Sequence, residues 1–180
     1  GRTLGPGERL LLRRGSVFDQ ELQIGAAGRP DAWAEIGAYG QGARPVIRRT
    51  WHIDDRCVLV SSPDHLRIRS LVVCFAGKGL VVACEQKGRR GLVIEDCVAH
   101  HIEGLYRFNS HGIPEWRDRR GAGGDAGLHV SAGIAICGDH AEDAAIRDCE
   151  MFQCSSGFFA KGDGVAVDRV FCHDNRCFNT

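Results

Sequence analysis

Leu92-Val93-Ile94-Glu95-Asp96-Cys97 decides the reading of this chain, because its pattern recurs at three other places. Leu66-Arg67-Ile68-Arg69-Ser70-Leu71, Ala144-Ala145-Ile146-Arg147-Asp148-Cys149 and Val165-Ala166-Val167-Asp168-Arg169-Val170 align with it position by position. Each alternates apolar and polar residues, the period of a half-buried strand. The central residues Ile68, Ile94, Ile146 and Val167 lie 26, 52 and 21 positions apart, so the middle interval is two repeats long or one repeat carrying an insertion. A second apolar run follows three of the copies: Gly79-Leu80-Val81-Val82, Gly104-Leu105-Tyr106 and Gly157-Phe158-Phe159. The unit reads as strand, turn, glycine, strand. Such a unit cannot bury its apolar face alone, and stacked copies build one continuous core. The pattern therefore predicts a β-solenoid with Ile68, Ile94, Ile146 and Val167 pointing into that core.

An apolar strand ending in Asp or Asn, followed by glycine and a second apolar strand, resembles the right-handed parallel β-helices of the pectate-lyase-like superfamily. Pro6-Gly7-Glu8-Arg9-Leu10-Leu11-Leu12-Arg13-Arg14-Gly15 and Ile36-Gly37-Ala38-Tyr39-Gly40-Gln41-Gly42-Ala43-Arg44-Pro45-Val46-Ile47 are similar to the opening coils of exported β-helix proteins, with Glu8 where that pattern carries Asp. The resemblance covers most of the chain. It implies an all-β fold, a right-handed parallel β-helix, read here as a truncated excerpt of a longer solenoid because Cys177-Phe178-Asn179-Thr180 falls inside an unfinished coil and solenoids carry polar caps. Residues 1–180 form a single domain in this reading: opening coils 1–50, regular coils 51–106, a loop excursion 107–131 and coils 132–180.

Length and composition agree. At a repeat of ~25 residues the chain holds about six or seven coils, and 24 glycines with 5 prolines suit turns and short strands. Asp31 to Gly40 is ambiguous: Trp33, Ile36 and Tyr39 fit a helical face, while Trp33-Ala34-Glu35-Ile36 before Gly37 fits a strand, and the resemblance favours the strand. With 23 basic and 23 acidic residues, no global field draws the chain to nucleic acid or to a membrane surface. Arginine clusters at Arg13-Arg14, Arg48-Arg49, Lys87 to Arg90 and Arg117 to Arg120 read as solvated turns, or as a groove for an anionic polymer.

Nine cysteines are present. Cys97 and Cys149 stand where the other copies have Leu71 and Val170, so they read as core positions, a free cysteine being a small buried hydrophobe. Cys74, Cys154 and Cys172 read as turn residues, open to disulfides or metal ligation. The nearest metal-like cluster, Cys172-His173 with Cys177 and Cys154, lacks a Cys-x-x-Cys pair, which argues against zinc.

Fold alone does not give function. The resemblance implies a carbohydrate-active protein, because enzymes of this architecture act on polysaccharides laid along a groove, commonly uronic-acid polymers. The expectation is a polysaccharide lyase, or a related epimerase or hydrolase, on an acidic polysaccharide, secreted, periplasmic or at the cell surface and acting as a monomer. The alternative is a non-catalytic glycan-binding or surface-attachment module. A copper-delivery role is a third reading, weakened by Met151 being the only methionine. A lyase must neutralise a carboxylate, remove the adjacent proton and protonate the leaving oxygen. Lys161, entering a glycine turn, is a candidate base, or a turn lysine in water. His111 is a candidate acid or base, Arg107 a carboxylate clamp and Trp116 a sugar-stacking ring; Trp116 as loop anchor and His111 as turn cap is the plainer account. Asp96 and Asp148 would stack about 4.8 Å apart in adjacent coils, compensated by Arg169, bridged by Ca2+, or bonded to local turn backbone. His100-His101 and His173-Asp174-Asn175 read as turn residues satisfying backbone groups.

Overall fold

The structure, a computed structural model, describes residues 2–52, 55–104 and 131–175. Six successive coils each contribute three short strands. The first holds β1 (Arg2–Leu4), β2 (Arg9–Arg13) and β3 (Val17–Phe18), and the second β4 (Leu22–Ala27), β5 (Ala34–Tyr39) and β6 (Val46–Arg48). The third holds β7 (Arg56–Asp64), β8 (Leu66–Arg69) and β9 (Val72–Ala76), and the fourth β10 (Lys78–Ala83), β11 (Arg90–Glu95) and β12 (Val98–Ile102). Beyond residues 105–130 come β13 (Ile134–Cys137), β14 (Glu142–Arg147) and β15 (Glu150–Cys154), then β16 (Phe158–Ala160), β17 (Val165–Asp168) and β18 (Phe171–His173).

Every third strand belongs to the same sheet, giving three parallel six-stranded sheets: β1-β4-β7-β10-β13-β16, β2-β5-β8-β11-β14-β17 and β3-β6-β9-β12-β15-β18. This is a parallel β-helix, and crossovers between parallel strands take the right hand. The ambiguous stretch is strand, as β5, and Gly37 lies inside it. Ile94 pairs directly with Ile68 on one side and Ile146 on the other, so the 52-residue interval is one repeat carrying an insertion.

Ile68, Ile94 and Ile146 are fully buried in one core cluster. Val167 is in register with Ile146 as expected, but it is 42% exposed. Its strand is the outermost in its sheet, and no described strand covers its far side.

The glycines that open the second apolar run mark the corner where coils approach most closely. A Cβ on Gly79 would sit 2.1 Å from the Gly133 carbonyl oxygen, and one on Gly104 would sit 2.4 Å from that of Gly77. Only a residue without a side chain fits there.

The strand unit read from sequence has two strands, whereas the coil has three. In the third sheet the fourth residue of β9, β12 and β15, and the residue just after β18, leave the extended region: Phe75, His101, Gln153 and Asp174 have φ of 53°, 53°, 51° and 52°. The break puts two consecutive side chains outside. Ala99 and Ile102 are buried while His100 and His101 between them are not. Period-two alternation is lost, and Val98–Ile102 therefore looks like a turn to any pattern search. His100, His101 and His173 lie in or beside strands, a correction to the turn reading. Asn175 does satisfy backbone groups, accepting from the Cys154 amide at 2.8 Å and donating to the Met151 carbonyl at 3.2 Å.

Cys97 and Cys149 stack in the core column with Leu71 and are buried and free. Cys74, Cys154 and Cys172 are in strands β9, β15 and β18, which corrects their placement in turns. Burial pushes Cys57, Cys137 and Cys154 up to about 12, and Cys74 and Cys84 up to about 11. Thiolates are the reactive form. Native protein at mildly alkaline pH should therefore label these five slowly with a thiol reagent, and in urea quickly. Fast labelling of Cys154 in the folded state would contradict this packing.

Candidate functional site

The outer faces of the three sheets differ, and the differences select one of them. On the first sheet, outward-facing Val81 and Ala135 are buried in a second apolar cluster with Ala132 and Cys137. That end of the face is covered, while toward the first coil the same face opens into a cleft of about 500 Å³ lined by Thr3, Gln23, Gly25, Leu59, Ser61 and Arg89 among others.

On the second sheet the outer face is an ion-pair ladder. Glu35 accepts from Arg9 at 3.1 Å and Arg69 at 2.9 Å, and Glu95 lies 2.6 Å from Arg147 and 3.6 Å from Arg67. The corner beyond it carries the aligned residues Ser70, Asp96, Asp148 and Arg169, all left-handed. Asp96 accepts from Arg44 and, at 2.7 Å, from Ser70, while Arg169 holds both oxygens of Asp148 at 2.6 and 2.9 Å. The carboxylates thus bond cations and a neighbouring hydroxyl rather than their own turn backbone. Burial raises the Asp96 pKa, but the Arg44 and Ser70 hydrogen bonds outweigh it and hold it below the usual carboxylate range. Among the described residues no group of three or more His, Cys, Asp or Glu side chains stands close enough to hold a metal ion.

The third sheet carries rings. Phe152 lies between His100 and His173, with centroids 5.1 and 5.2 Å away and planes within 17° and 13°. The strand register makes this stack, because His100 pairs with Phe152 and Phe152 with His173. Phe171 flanks it at 4.7 Å and is 61% exposed. In the neighbouring column Phe75 packs on His101 at 4.8 Å, and Trp51 meets Phe75 edge to face at 5.3 Å. The break in alternation juxtaposes the two columns, with His100 Nδ1 2.8 Å from His101 Nδ1. One nitrogen donates and the other accepts, which fails once both rings are cations.

Two histidines of this strip are tuned in opposite senses. Burial and the adjacent His101 hold His100 below the ordinary value of 6.5. Its contribution to stability is intact above pH 6.5 and is lost as pH falls below it. Asp174, hydrogen-bonded at 2.9 Å, with Glu150 at 3.3 Å, raises His173 against partial burial. That contribution is present below 6.5 and is lost as pH rises through the folded value. His100→Phe keeps a ring on Phe152 and should make the urea midpoint less sensitive to acidification between about pH 7 and 5; an unchanged pH profile would contradict the assignment.

At the Trp51 end the strip runs into a cleft of about 410 Å³ lined by Asp19, Arg48, Arg49, Thr50, Trp51 and Phe75. Trp51 has φ of 64° and is 45% exposed, its amide donating to the Phe75 carbonyl at 2.9 Å. A bulky side chain at positive φ costs energy that its surroundings must offset. Here the outcome is a tryptophan held partly exposed at the wall of the cleft. Arg48 Nε donates to Asp19 Oδ1 at 2.6 Å, and Arg49 Nη1 donates to the Asp19 carbonyl at 2.6 Å. Asp55 anchors the loop, accepting from Thr50 Oγ1 at 2.7 Å and lying 3.7 Å from Arg49 Nη2.

Lys161 follows β16 in the first sheet, half exposed and ion-paired with Asp139. It stands on a different sheet from the strip. Arg107, His111 and Trp116 lie outside the described residues. The Trp51 cleft was not singled out by sequence reasoning, although Trp51 and Phe75 are visible there as aromatic residues; what brings them together is stacking register. A further contact, His65 Nδ1 to Asp64 Oδ1 at 2.7 Å, lies at a corner where the His65 backbone bonds both Ala34 and Arg90. That geometry assigns it to joining coils.

The architecture defines the class: a three-sheeted parallel β-helix. No protein-family model and no curated protein matches the sequence. Among solved structures, the chain is similar to a GH136 lacto-N-biosidase from Eubacterium ramulus, seen as a selenomethionine derivative and as native protein. Identity is 17% with a TM-score of 0.56 for the first, over 87% of this chain and 37% of that one. For the second it is 18% with 0.52, over 96% and 36%. The chain thus spans little more than a third of the structures it matches, and the likeness establishes the fold.

Proposed function

We propose that this chain is a carbohydrate-active β-helix unit whose glycan-binding surface is the aromatic strip on the third sheet. The observation that carries the proposal is the pair of ring columns from Trp51 to Phe171, running along the solenoid axis on the outer face of the third sheet. Pyranose rings present C–H groups to aromatic faces and hydroxyls to polar neighbours, and amphipathic rings suit surfaces wet at one side. Support also comes from the fold, shared with a protein named as a GH136 lacto-N-biosidase.

Retention of the protein in gels cast with soluble polysaccharides tests this reading. Binding to at least one glycan is expected, with Phe75→Ala weakening it about tenfold, the loss typical of an aromatic contact of moderate weight. Full-strength binding by a folded Phe75→Ala protein would move the site elsewhere.

A lyase acting on an acidic polysaccharide through Lys161 is the second reading, favoured by the half-exposed position of that lysine at a glycine turn. Incubation with alginate, pectate and glycosaminoglycans, with and without calcium, should then release unsaturated sugars absorbing in the ultraviolet, and Lys161→Ala should lower the rate by about 10²- to 10⁴-fold. On stability that substitution removes only an exposed ion pair, an effect of at most about 1 kcal/mol. Full activity in Lys161→Ala would remove the lysine from the reaction.

A further inference from the structure

We infer that the Asp19–Arg48–Arg49–Trp51 cleft is the principal sugar subsite of the strip and that it takes a neutral pyranose in preference to a uronic acid. The inference rests on the glycan-binding reading above and adds a place and a substrate class to it.

Ring geometry fixes the place. Where rings stack nearly parallel, as His100, Phe152 and His173 do, each face is covered by the next ring and only edges remain for a ligand. The stack breaks at Trp51, whose plane lies at 69° to Phe75 and 78° to His101. Trp51 is 45% exposed and lines a cleft of about 410 Å³ that the stacked rings do not have, and such a volume falls within the range of small-molecule sites. Phe171, at the other end, is more exposed but borders no such cleft among those the structure shows.

Charge fixes the class. Among the described residues two guanidinium groups and two carboxylates, Arg48, Arg49, Asp19 and Asp55, stand at or just behind the cleft and sum to zero. Each cation already has a carboxylate: Arg48 on Asp19 at 2.6 Å, Arg49 near Asp55 at 3.7 Å. Partial burial raises the Asp55 pKa, yet the hydrogen bonds from Thr50 and His52 together with Arg49 outweigh it, so Asp55 remains a carboxylate at neutral pH. A uronate entering here would displace one of these carboxylates or lie against it, and like charges at contact distance repel. A sugar hydroxyl both donates and accepts. An Arg–Asp pair at a cleft wall supplies the complementary acceptor and donor, and the Thr50 hydroxyl lies beside them. Elsewhere Arg44, Arg67, Arg69, Arg147, Lys161 and Arg169 are also on acidic partners, whereas Arg14 and Arg89 donate to backbone carbonyls.

Affinity gels and calorimetry with neutral probes, a β-glucan, a galactan and a xylan, against acidic ones, polygalacturonate and alginate, test this at about 20 and about 300 mM salt, which shortens the screening length several-fold. Expected is binding to a neutral probe, changed less than about twofold by salt, since uncharged contacts are not screened. Trp51→Ala should weaken it at least tenfold and Trp51→Phe by no more than about threefold, as for a central aromatic anchor. Preferential, salt-sensitive binding of an acidic probe that is lost in Phe75→Ala overturns the inference while leaving the strip as the site. Neutral binding that survives Trp51→Ala in a folded protein also overturns it. Binding of no probe overturns both.

Discussion

Ile94→Ala is expected to lower the free energy of unfolding by about 2–5 kcal/mol, toward the upper end of that range. Ile94 has no exposed surface and is clasped in register between Ile68 and Ile146. The cost of such a deletion depends on how far the surroundings collapse into the cavity. Here backbone ladders hold the coils above and below at fixed spacing, so collapse is limited. Urea denaturation would show a lower midpoint with an unchanged slope. Val167→Ala, in the same column but 42% exposed, should cost about 1 kcal/mol or less, because a half-wet side chain has little burial to lose. Equal effects at the two positions would contradict the burial gradient along the core.

Gly79→Ala should cost about 3 kcal/mol, the upper part of the range for overpacked sites. The added carbon would meet the Gly133 carbonyl oxygen at 2.1 Å, and that oxygen accepts from the Leu80 amide at 2.9 Å. Backbone cannot rotate away as a side chain can. Relief requires opening the fourth coil from the fifth and loosening the bonds from Gly79 to Ala132 and from Leu80 to Gly133. Gly88→Ala is the control: its φ is 81° but no atom lies within 4 Å of the added carbon. Only the left-handed backbone penalty of about 1–2 kcal/mol applies there. A Gly79→Ala protein as stable as Gly88→Ala would remove close approach as the reason for this glycine.

Legibility of the molecule in its sequence followed the regularity of its strands. The second sheet was readable because Leu66, Leu92 and Ala144 each begin a stretch that alternates without interruption. Two strands of the first sheet, β10 and β16, were readable through Gly79 and Gly157 at a fixed offset, and at Gly79 close approach of the next coil requires the glycine. The third sheet was not. Its left-handed residue at the fourth position puts two side chains outside in succession, so His100-His101 and Phe152-Gln153 lack the period that marks a strand. The candidate site is on that sheet, and the same break that hides the strand doubles its outward rings. Cys97 and Cys149 were placed correctly because columns in a solenoid share one environment, so Leu71 identifies the position for both. Chemistry is harder to read than packing for the converse reason. Arg48 and Arg49 look like a cationic patch in sequence, and only the strand ladder reveals Asp19, 29 positions before Arg48, as the group that neutralises it.

The most direct test of the account follows the indole N–H resonances of the protein while a neutral oligosaccharide, from whichever neutral polymer the gels retain, is added. Trp51 stands in the proposed subsite, whereas Trp33 is packed edge-on against His65 at 5.4 Å in a corner between the first and second sheets. The account predicts that the Trp51 resonance moves and saturates at the affinity measured by calorimetry, with Trp33 unmoved. Saturable binding that shifts Trp33 and leaves Trp51 in place would contradict it.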